Sequence, residues 1–278
     1  MELKLNLDKI GPWSEVKLSI IKEYAQIYST ILNAQKVPFH YSYIDGFAGA
    51  GFHVSRTSGE LIHGSPTNAL LVEPPFKEYH FIDTDPAKVN LLQQMAKGHS
   101  NVYVHQSDCN VVLPKNIFPK IKYEDYRRAL CVLDPYGLHL DWIVLEAAAE
   151  LKTIDIFLNF PIYDININVL RRNKDSVEEL HKKRFSKFWG DNSWEEIVYR
   201  KVPTLFGEEE EKIKNEELAL LFRKRLQEVA GFAHVPAPID MRNSSNSTVY
   251  YLYFASQKDV ASKIVKNITK QYKSARIQ

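Results

Sequence analysis

Hydrophobic positions recur along this chain in two rhythms. In the first, Ile20, Tyr24, Ile27, Tyr28 and Ile31 fall three and four residues apart, which lines up one face of an α-helix. Ser14, ahead of Glu15, predicts its N-cap, Pro38 its end, and residues 1–12 a loose lead-in. In the second, β-branched and aromatic residues form short, nearly continuous runs: Tyr41–Asp45, Tyr79–Asp83, Asn101–His105, Ala129–Leu133 and Ile154–Asn159. Their length and composition predict strands. Ala129–Leu133 is entirely apolar, which predicts a strand covered on both faces in the middle of a sheet. Helices are predicted between them: from Pro66, from Ala87 to Lys97 with Gly98 closing it, and through Leu151 with Asp141 as cap. Leu113 to Arg128 reads as helix or loop, broken by Pro114 and Pro119. Strand and helix alternating at about thirty residues are βαβ units, which make a parallel α/β sheet with right-handed crossovers.

Two stretches break the alternation. Phe52 to Ser65 reads as a long loop, of the kind that tends to serve function. Residues 161–231 hold a basic segment (Arg171, Arg172, Lys174, His181 to Arg184), the aromatics Phe185, Phe188, Trp189 and Trp194, an acidic run from Glu208 to Glu211 and a helix from Glu216 to Val229. After them, Phe232–Met241 and Val249–Ser256 flank a polar turn and predict an antiparallel pair at the sheet edge. A helix from Lys258 to Gln271 follows. The organisation expected is one domain over 1–278, with 1–40 as an N-terminal helical extension and 161–231 as a helical insertion.

The 278 residues carry a formal charge of only +2, so any nucleic-acid site has to come from a local cluster rather than a global field. Two cysteines, Cys109 and Cys131, are too few for a zinc framework or a disulfide scaffold. No signal peptide and no apolar run of membrane-spanning length is read. The expectation is a reduced, cytoplasmic protein without a membrane partner.

The candidate chemistry lies where the strands stop. Asp45, Asp83, Asp108 and Asp134 each follow a strand, and ligands of open α/β sheets bind at the carboxyl ends of strands. Aspartate is also common in turns; four at four strand ends would face one crevice. Gly46, Gly49 and Gly51 follow the first acid in a G-x-x-G-x-G spacing, which lets a ligand approach the main chain but is not the dinucleotide pattern. His53, Glu60 and His63 in the long loop have no spacing that specifies a metal, and none is expected. Asp134-Pro135-Tyr136-Gly137 is an ordinary type I turn by composition; its place after the fourth strand points to catalysis.

Five parallel strands, an antiparallel pair and a last helix resemble the Rossmann-like sheet of class I S-adenosylmethionine-dependent methyltransferases. That resemblance implies S-adenosyl-L-methionine as cofactor. It assigns the loop of Asp45, Gly46, Phe47, Gly49 and Gly51 to the methionine part, Asp83 (with Asp85 as competitor) to the ribose hydroxyls, and Asp108 with the Cys109 backbone to adenine. The Asp134-Pro135-Tyr136-Gly137 turn is similar to the Asp-Pro-Pro-Tyr turn of amino methyltransferases, with one proline fewer, and closer to that of transfer-RNA guanine-N2 dimethylating enzymes. It implies that Asp134 and the Pro135 carbonyl accept from an exocyclic amine while Tyr136 stacks on its ring. Trp13-Ser-Glu, Tyr43-Ile-Asp-Gly-Phe-Ala-Gly, Gly64-Ser-Pro, Phe81-Ile-Asp-x-Asp-Pro, Leu133-Asp-Pro-Tyr-Gly and the Phe188-Trp-Gly/Trp194 region together resemble the three-Cys-motif partner (TcmP) family over most of the chain. Asp83 stands where that family usually has Glu. The family resemblance implies a partner, a phage Gp37/Gp68-type protein with three cysteines.

The function expected is methyl transfer to an exocyclic amino group of a nucleobase in DNA or RNA, with Arg171, Arg172 and Trp189 as substrate-binding candidates. Two other readings stand beside it: a non-catalytic module that keeps the cofactor fold to hold the partner, and a nicotinamide-dependent oxidoreductase, disfavoured by the glycine spacing. For the aromatics of 181–194, the other reading is the buried face of a solvated helix.

Overall fold

The computed structural model describes residues 7–171, 177–204 and 207–275. In chain order these form β1 (Lys9–Ile10), α1 (Pro12–Asn33), β2 (His40–Asp45), β3 (Phe52–Ser55), β4 (Leu61–His63), α2 (Ser65–Leu70), β5 (Glu78–Asp83), α3 (Pro86–Met95), β6 (Val102–Gln106) and α4 (Cys109–Val112). A π turn and a 3-10 turn over Leu113–Lys120 lead to β7 (Arg127–Leu133), α5 (Ile143–Leu151), β8 (Ile154–Phe160), α6 (Ile162–Asn168), α7 (Glu179–Trp189) and α8 (Trp194–Val198). The hairpin β9 (Tyr199–Thr204) and β10 (Gly207–Lys212), then α9 (Asn215–Glu228), β11 (Ile239–Arg242), β12 (Thr248–Ala255) and α10 (Asp259–Ala275) complete the order.

The main sheet runs β11-β12-β8-β7-β2-β5-β6. The five strands from β8 to β6 pair in parallel, and β12 and β11 run antiparallel at one edge. This is the mostly parallel, Rossmann-like sheet expected from the sequence, and β7 is its central strand. The apolar runs are explained by burial on both sides. Ile44, Ile82, Cys131, Leu133, Ile156, Leu158 and Phe160 face a core shared with α5, α7 and α9. The alternate residues Tyr41, Tyr43, Tyr79, Phe81, Leu130, Val132 and Phe157 face α1, α3 and α10. Helices on both faces of a parallel sheet make three layers around two cores.

Several boundaries differ from the sequence reading. α1 begins at Pro12 with Gly11 in the cap position, and the Ser14 N–H bonds the Gly11 carbonyl instead of Ser14 capping. A proline with fixed φ at the first turn starts the helix without a side-chain cap. Asp141 likewise precedes α5 without capping it: Trp142 stands in the cap position, with no side-chain bond. Phe52–Ser65 is an ordered hairpin rather than a loop. β3 pairs antiparallel with β4 and parallel with β1, so Lys9 and Ile10 of the lead-in form its third strand. The first strand of the terminal pair is confined to Ile239–Arg242.

The segment 161–231 is built into the core rather than hung from it. The Phe222 ring of α9 lies 4.6 Å from Phe160 of β8 and 5.6 Å from Phe188 of α7. Phe185, Phe188 and Trp189 are buried, with Trp189 at 0% exposure and its indole N–H donated to Ser193. The buried-face reading of α7 therefore holds, and Trp189 as a substrate-stacking residue is corrected: its ring has no free face. Arg171 donates through Nε to the Ile167 carbonyl, while Arg172 and Lys174 lie outside the described residues.

The hairpin is locked to the glycine turn at Gly64. Its N–H bonds the Gly51 carbonyl at 2.8 Å, and a Cβ on Gly64 would fall 2.8 Å from that carbonyl's carbon and oxygen. Backbone atoms cannot swing aside. Gly64→Ala is expected to lower unfolding free energy by about 1–3 kcal/mol, as overpacking does. A urea midpoint equal to that of the parent protein would contradict the close approach.

Candidate active site

The strand order reverses at β2. The chain moves outward from β2 to β5 and β6, then returns to the other side of β2 at β7 and continues to β8. Loops leaving β2 and β7 diverge there and open a crevice, the usual ligand position of an open α/β sheet. Asp45 ends β2, and Asp134 follows the last residue of β7. Two cavities occupy the crevice. One, of about 510 Å³, is lined by Lys17, Asp45, His53, Asp134, Tyr136 and Asn159 among others. The second, of about 440 Å³, is lined by Asp83, Thr84, Ser107, Asp108, Cys109 and Arg184 among others. Phe47 and Tyr136 border both, so the four strand-end acids line two adjoining cavities.

Asp45 is 1% exposed. Its Oδ1 accepts from the Phe47 N–H at 3.2 Å, while Oδ2 has no partner. Burial pushes its pKa up to about 7, with the charges of Asp134 and Asp83 adding to the rise and Ser65 and the Phe47 N–H opposing it. Two more buried polar atoms in the same cavity lack partners, His53 Nδ1 and Asn159 Oδ1. Buried polar atoms are rarely left unpaired; three around one cavity fit a polar ligand.

Asp83 holds the glycine turn in place. Its Oδ2 accepts from the Gly49 N–H and its Oδ1 from the Asp85 N–H, both at 2.9 Å. A carboxylate offers about four acceptor sites, so capacity toward the second cavity remains. Asp85 is instead engaged as the N-cap of α3, accepting from the Ala87 N–H, and lines neither cavity. Asp108 accepts from the Asn110 N–H and lines the second cavity with Cys109, whose buried thiol is pushed up in pKa by desolvation.

The Asp134-Pro135-Tyr136-Gly137 turn lines the first cavity. Gly137 has φ of +55°, and a Cβ there would meet Asp164 Oδ2 at 3.1 Å, so both backbone and space require glycine. Asp134 is paired with Lys17 of α1, a partner the sequence reading passed over. Lys17 is 6% exposed. Burial lowers its pKa, but Asp134, Tyr250 and Asp45 outweigh it and hold the ammonium above the usual lysine value. Tyr136 is also engaged. Its hydroxyl donates to Asp8 at 2.8 Å and accepts from Lys88 Nζ at 2.7 Å, and Lys88 sits 4.6 Å from its ring centroid. The hydroxyl end is thus held by both charged groups, while the ring itself borders both cavities.

The sequence signal for Lys17 was present: it precedes Ile20, Ile21, Tyr24 and Tyr28 at helical spacing, so a lysine sits on a buried stripe. Asn159, at the end of an apolar run, carried a similar signal. Asp8 and Lys88 carried none. His53 and His63 do not converge. His63 is opposite Phe52 in the hairpin register, so the pleat turns its neighbour His53 to the other face. Among the described residues, no group of three His, Cys, Asp or Glu side chains is arranged to hold a metal ion. No helix among them is long and apolar enough to cross a membrane.

No protein-family model matches this sequence, and no curated protein does. Solved structures do resemble the fold. Protein LPL1258 from Legionella pneumophila (family model DUF519) aligns with TM-score 0.51 at 11% identity, over 92% of this chain and 91% of its own. The methyltransferase domain of bacterial CtHen1-CN gives 0.41 at 12% identity, over 85% and 99%. The N-methyltransferase NodS from Bradyrhizobium japonicum WM9, crystallised with S-adenosyl-L-homocysteine, gives 0.39 at 9% identity, over 92% of each chain. At such identities the likeness is one of fold, and the chemistry has to be argued from this chain's residues.

Proposed function

We propose that this protein is an S-adenosylmethionine-dependent methyltransferase acting on an exocyclic amino group of a nucleobase in DNA or RNA. The observation that carries the reading is the placement of the Asp134-Pro135-Tyr136-Gly137 turn across the β2/β7 crevice from a buried, unpartnered Asp45 oxygen. The cofactor supplies a methyl group on a positively charged sulfur. Asp45 Oδ2 is the acceptor for its amino group, the Gly46–Gly51 backbone follows its methionine part, Asp83 accepts from the ribose hydroxyls, and Asp108 with the Cys109 backbone borders the adenine. Asp134 and the Pro135 carbonyl accept hydrogens from the substrate amine. This draws the amine away from conjugation with its ring and frees the nitrogen lone pair. Lys17 takes one oxygen of Asp134, leaving the other oxygen for the amine. The Tyr136 ring stacks on the base. Arg171 and Arg172 remain candidates for the nucleic-acid backbone. A three-cysteine partner, with the chain as a non-catalytic holder, is a second proposal that rests on the sequence resemblance alone.

Asp45 makes cofactor binding pH-dependent. An ammonium group prefers the ionised carboxylate, which predominates above about 7. Affinity for S-adenosyl-L-homocysteine is expected to fall roughly tenfold between pH 8 and pH 6 in calorimetric titrations, by proton linkage. Asp45→Asn should bind weakly and lose that dependence. The free protein runs the other way. Its folded Asp45 holds a proton that the unfolded chain releases near 3.8, so stability should decline as pH rises from about 4 to about 7 and then level off. No binding at either pH would defeat the cofactor assignment, and binding insensitive to pH would remove Asp45 from it.

A further inference from the structure

At the far end of α1 from Lys17 lies a cavity that the proposed reaction does not use. It encloses about 300 Å³ between α1, α10 and the amino-terminal ends of β7 and β8. Arg128 lines it, while Asp134, six residues along the same strand direction, lines the crevice; that separation is roughly 20 Å. Its floor is formed by the buried Tyr24 and Tyr28 from α1, Thr153 and Ala261, with the half-buried Asp155 beside them. Its mouth carries Ile31, Tyr123 and Val260, exposed at 38%, 54% and 59%. Large apolar side chains gathered around one opening are a recognised mark of a binding surface.

The charge at this mouth is positive. Arg128, Lys152 and Lys258 line the cavity. The Arg128 guanidinium is braced between two rings, 4.9 Å from the Phe39 centroid and 4.4 Å from that of Tyr123. Lys152 and Lys258 are exposed, and no ion pair among the described residues involves either. The one acid, Asp155, is half-buried, and its two oxygens already accept from the Tyr24 hydroxyl at 2.7 Å and the Ser256 hydroxyl at 2.5 Å, so it offsets only part of the charge of Arg128 and Lys258 beside it. Apolar walls, a buried floor and three cations at the rim are complementary to a molecule with an apolar body and a negative head. A cation would meet three like charges, and the volume is at the small end for ligand sites, too small for a folded partner to fill.

We propose that this cavity binds a small amphipathic organic anion, with the apolar body on Tyr24, Tyr28 and Ile264 and the carboxylate held by Arg128, Lys152 and Lys258. The site stands independently of the methyltransferase reading.

The test uses the full chain and two probes, decanoate by calorimetry and 1-anilinonaphthalene-8-sulfonate by fluorescence. Both should bind saturably at one shared site, so that decanoate displaces the dye. Decyltrimethylammonium, of equal chain length and opposite charge, should bind at least tenfold more weakly. The double variant Lys152→Glu/Lys258→Glu changes exposed side chains, and should weaken decanoate at least tenfold with an unchanged circular dichroism melt. Ile31→Glu should weaken both probes by narrowing the apolar mouth. Three results would overturn the proposal: no saturable binding, equal affinity for the cationic probe, or full affinity in both variants. If the double variant melts early, Ile31→Glu and the cationic probe decide the matter.

Discussion

Asp134→Asn is expected to slow methyl transfer by roughly 10²–10³-fold while leaving cofactor affinity near that of the parent protein, the loss typical of one transition-state electrostatic partner. Positive charge develops on the amine nitrogen as the methyl group arrives, and an ionised acceptor stabilises it more than a neutral one. Asparagine keeps the shape and one carbonyl oxygen for Lys17, so the buried ammonium is not stranded. Asp134 shares the first cavity with Asp45, but Asp83 and Asp108 line the second, so the ribose and adenine contacts stay in place and rate should fall far more than cofactor affinity. Lys17→Met removes the cation but leaves the acceptor. Its expected cost is smaller, about tenfold in rate, near the value of one charge-assisted hydrogen bond. A Lys17→Met protein slower than Asp134→Asn would mean that the lysine itself touches the reacting groups.

Asp83→Ala is expected to weaken S-adenosylmethionine binding by about 1.5–3 kcal/mol, roughly 10- to 150-fold, as for a hydrogen bond to a charged group. The effect has two sources. The ribose loses its acceptor, and the Gly49 and Asp85 N–H groups lose theirs, which loosens the turn along which the cofactor lies. Asp83→Asn separates them: it keeps an acceptor for one of the two N–H groups while removing the charge. Calorimetry that gives parental affinity for Asp83→Ala would contradict both roles and move the ribose assignment to Asp85, whose cap bond to α3 uses one oxygen.

The parallel sheet was legible because its inner strands are buried on both faces and read as nearly continuous apolar runs. Asp45, Asp83 and Asp134 were legible because each stands at the end of such a run, and Asp108 because it comes two residues after the edge strand β6. The hairpin at Phe52–His63 was not. Its strands are three and four residues long and only partly buried, so they lack the apolar density that marks a strand. The reading of Trp189 failed for a different reason. A basic, aromatic helix looks the same in sequence whether its rings face solvent or a core, and here Phe160 and Phe222 supply the core from distant parts of the chain. Lys17, Asp8 and Lys88 reach the site from α1, the first described residues and α3. Only the tertiary fold brings them to the Asp134-Pro135-Tyr136-Gly137 turn, although a lysine on the buried stripe of α1 was a clue.

Incubating the protein with methyl-labelled S-adenosylmethionine and total cellular nucleic acid, then digesting to nucleosides for mass spectrometry, reads out the proposed methyl transfer to an exocyclic amine at Asp134. The parent protein is predicted to place the label on an exocyclic amino nitrogen of one base, and Asp134→Asn to reduce that product by roughly 10²–10³-fold in initial rate. Label on a ring carbon or in protein alone, or equal labelling by Asp134→Asn, would contradict the account.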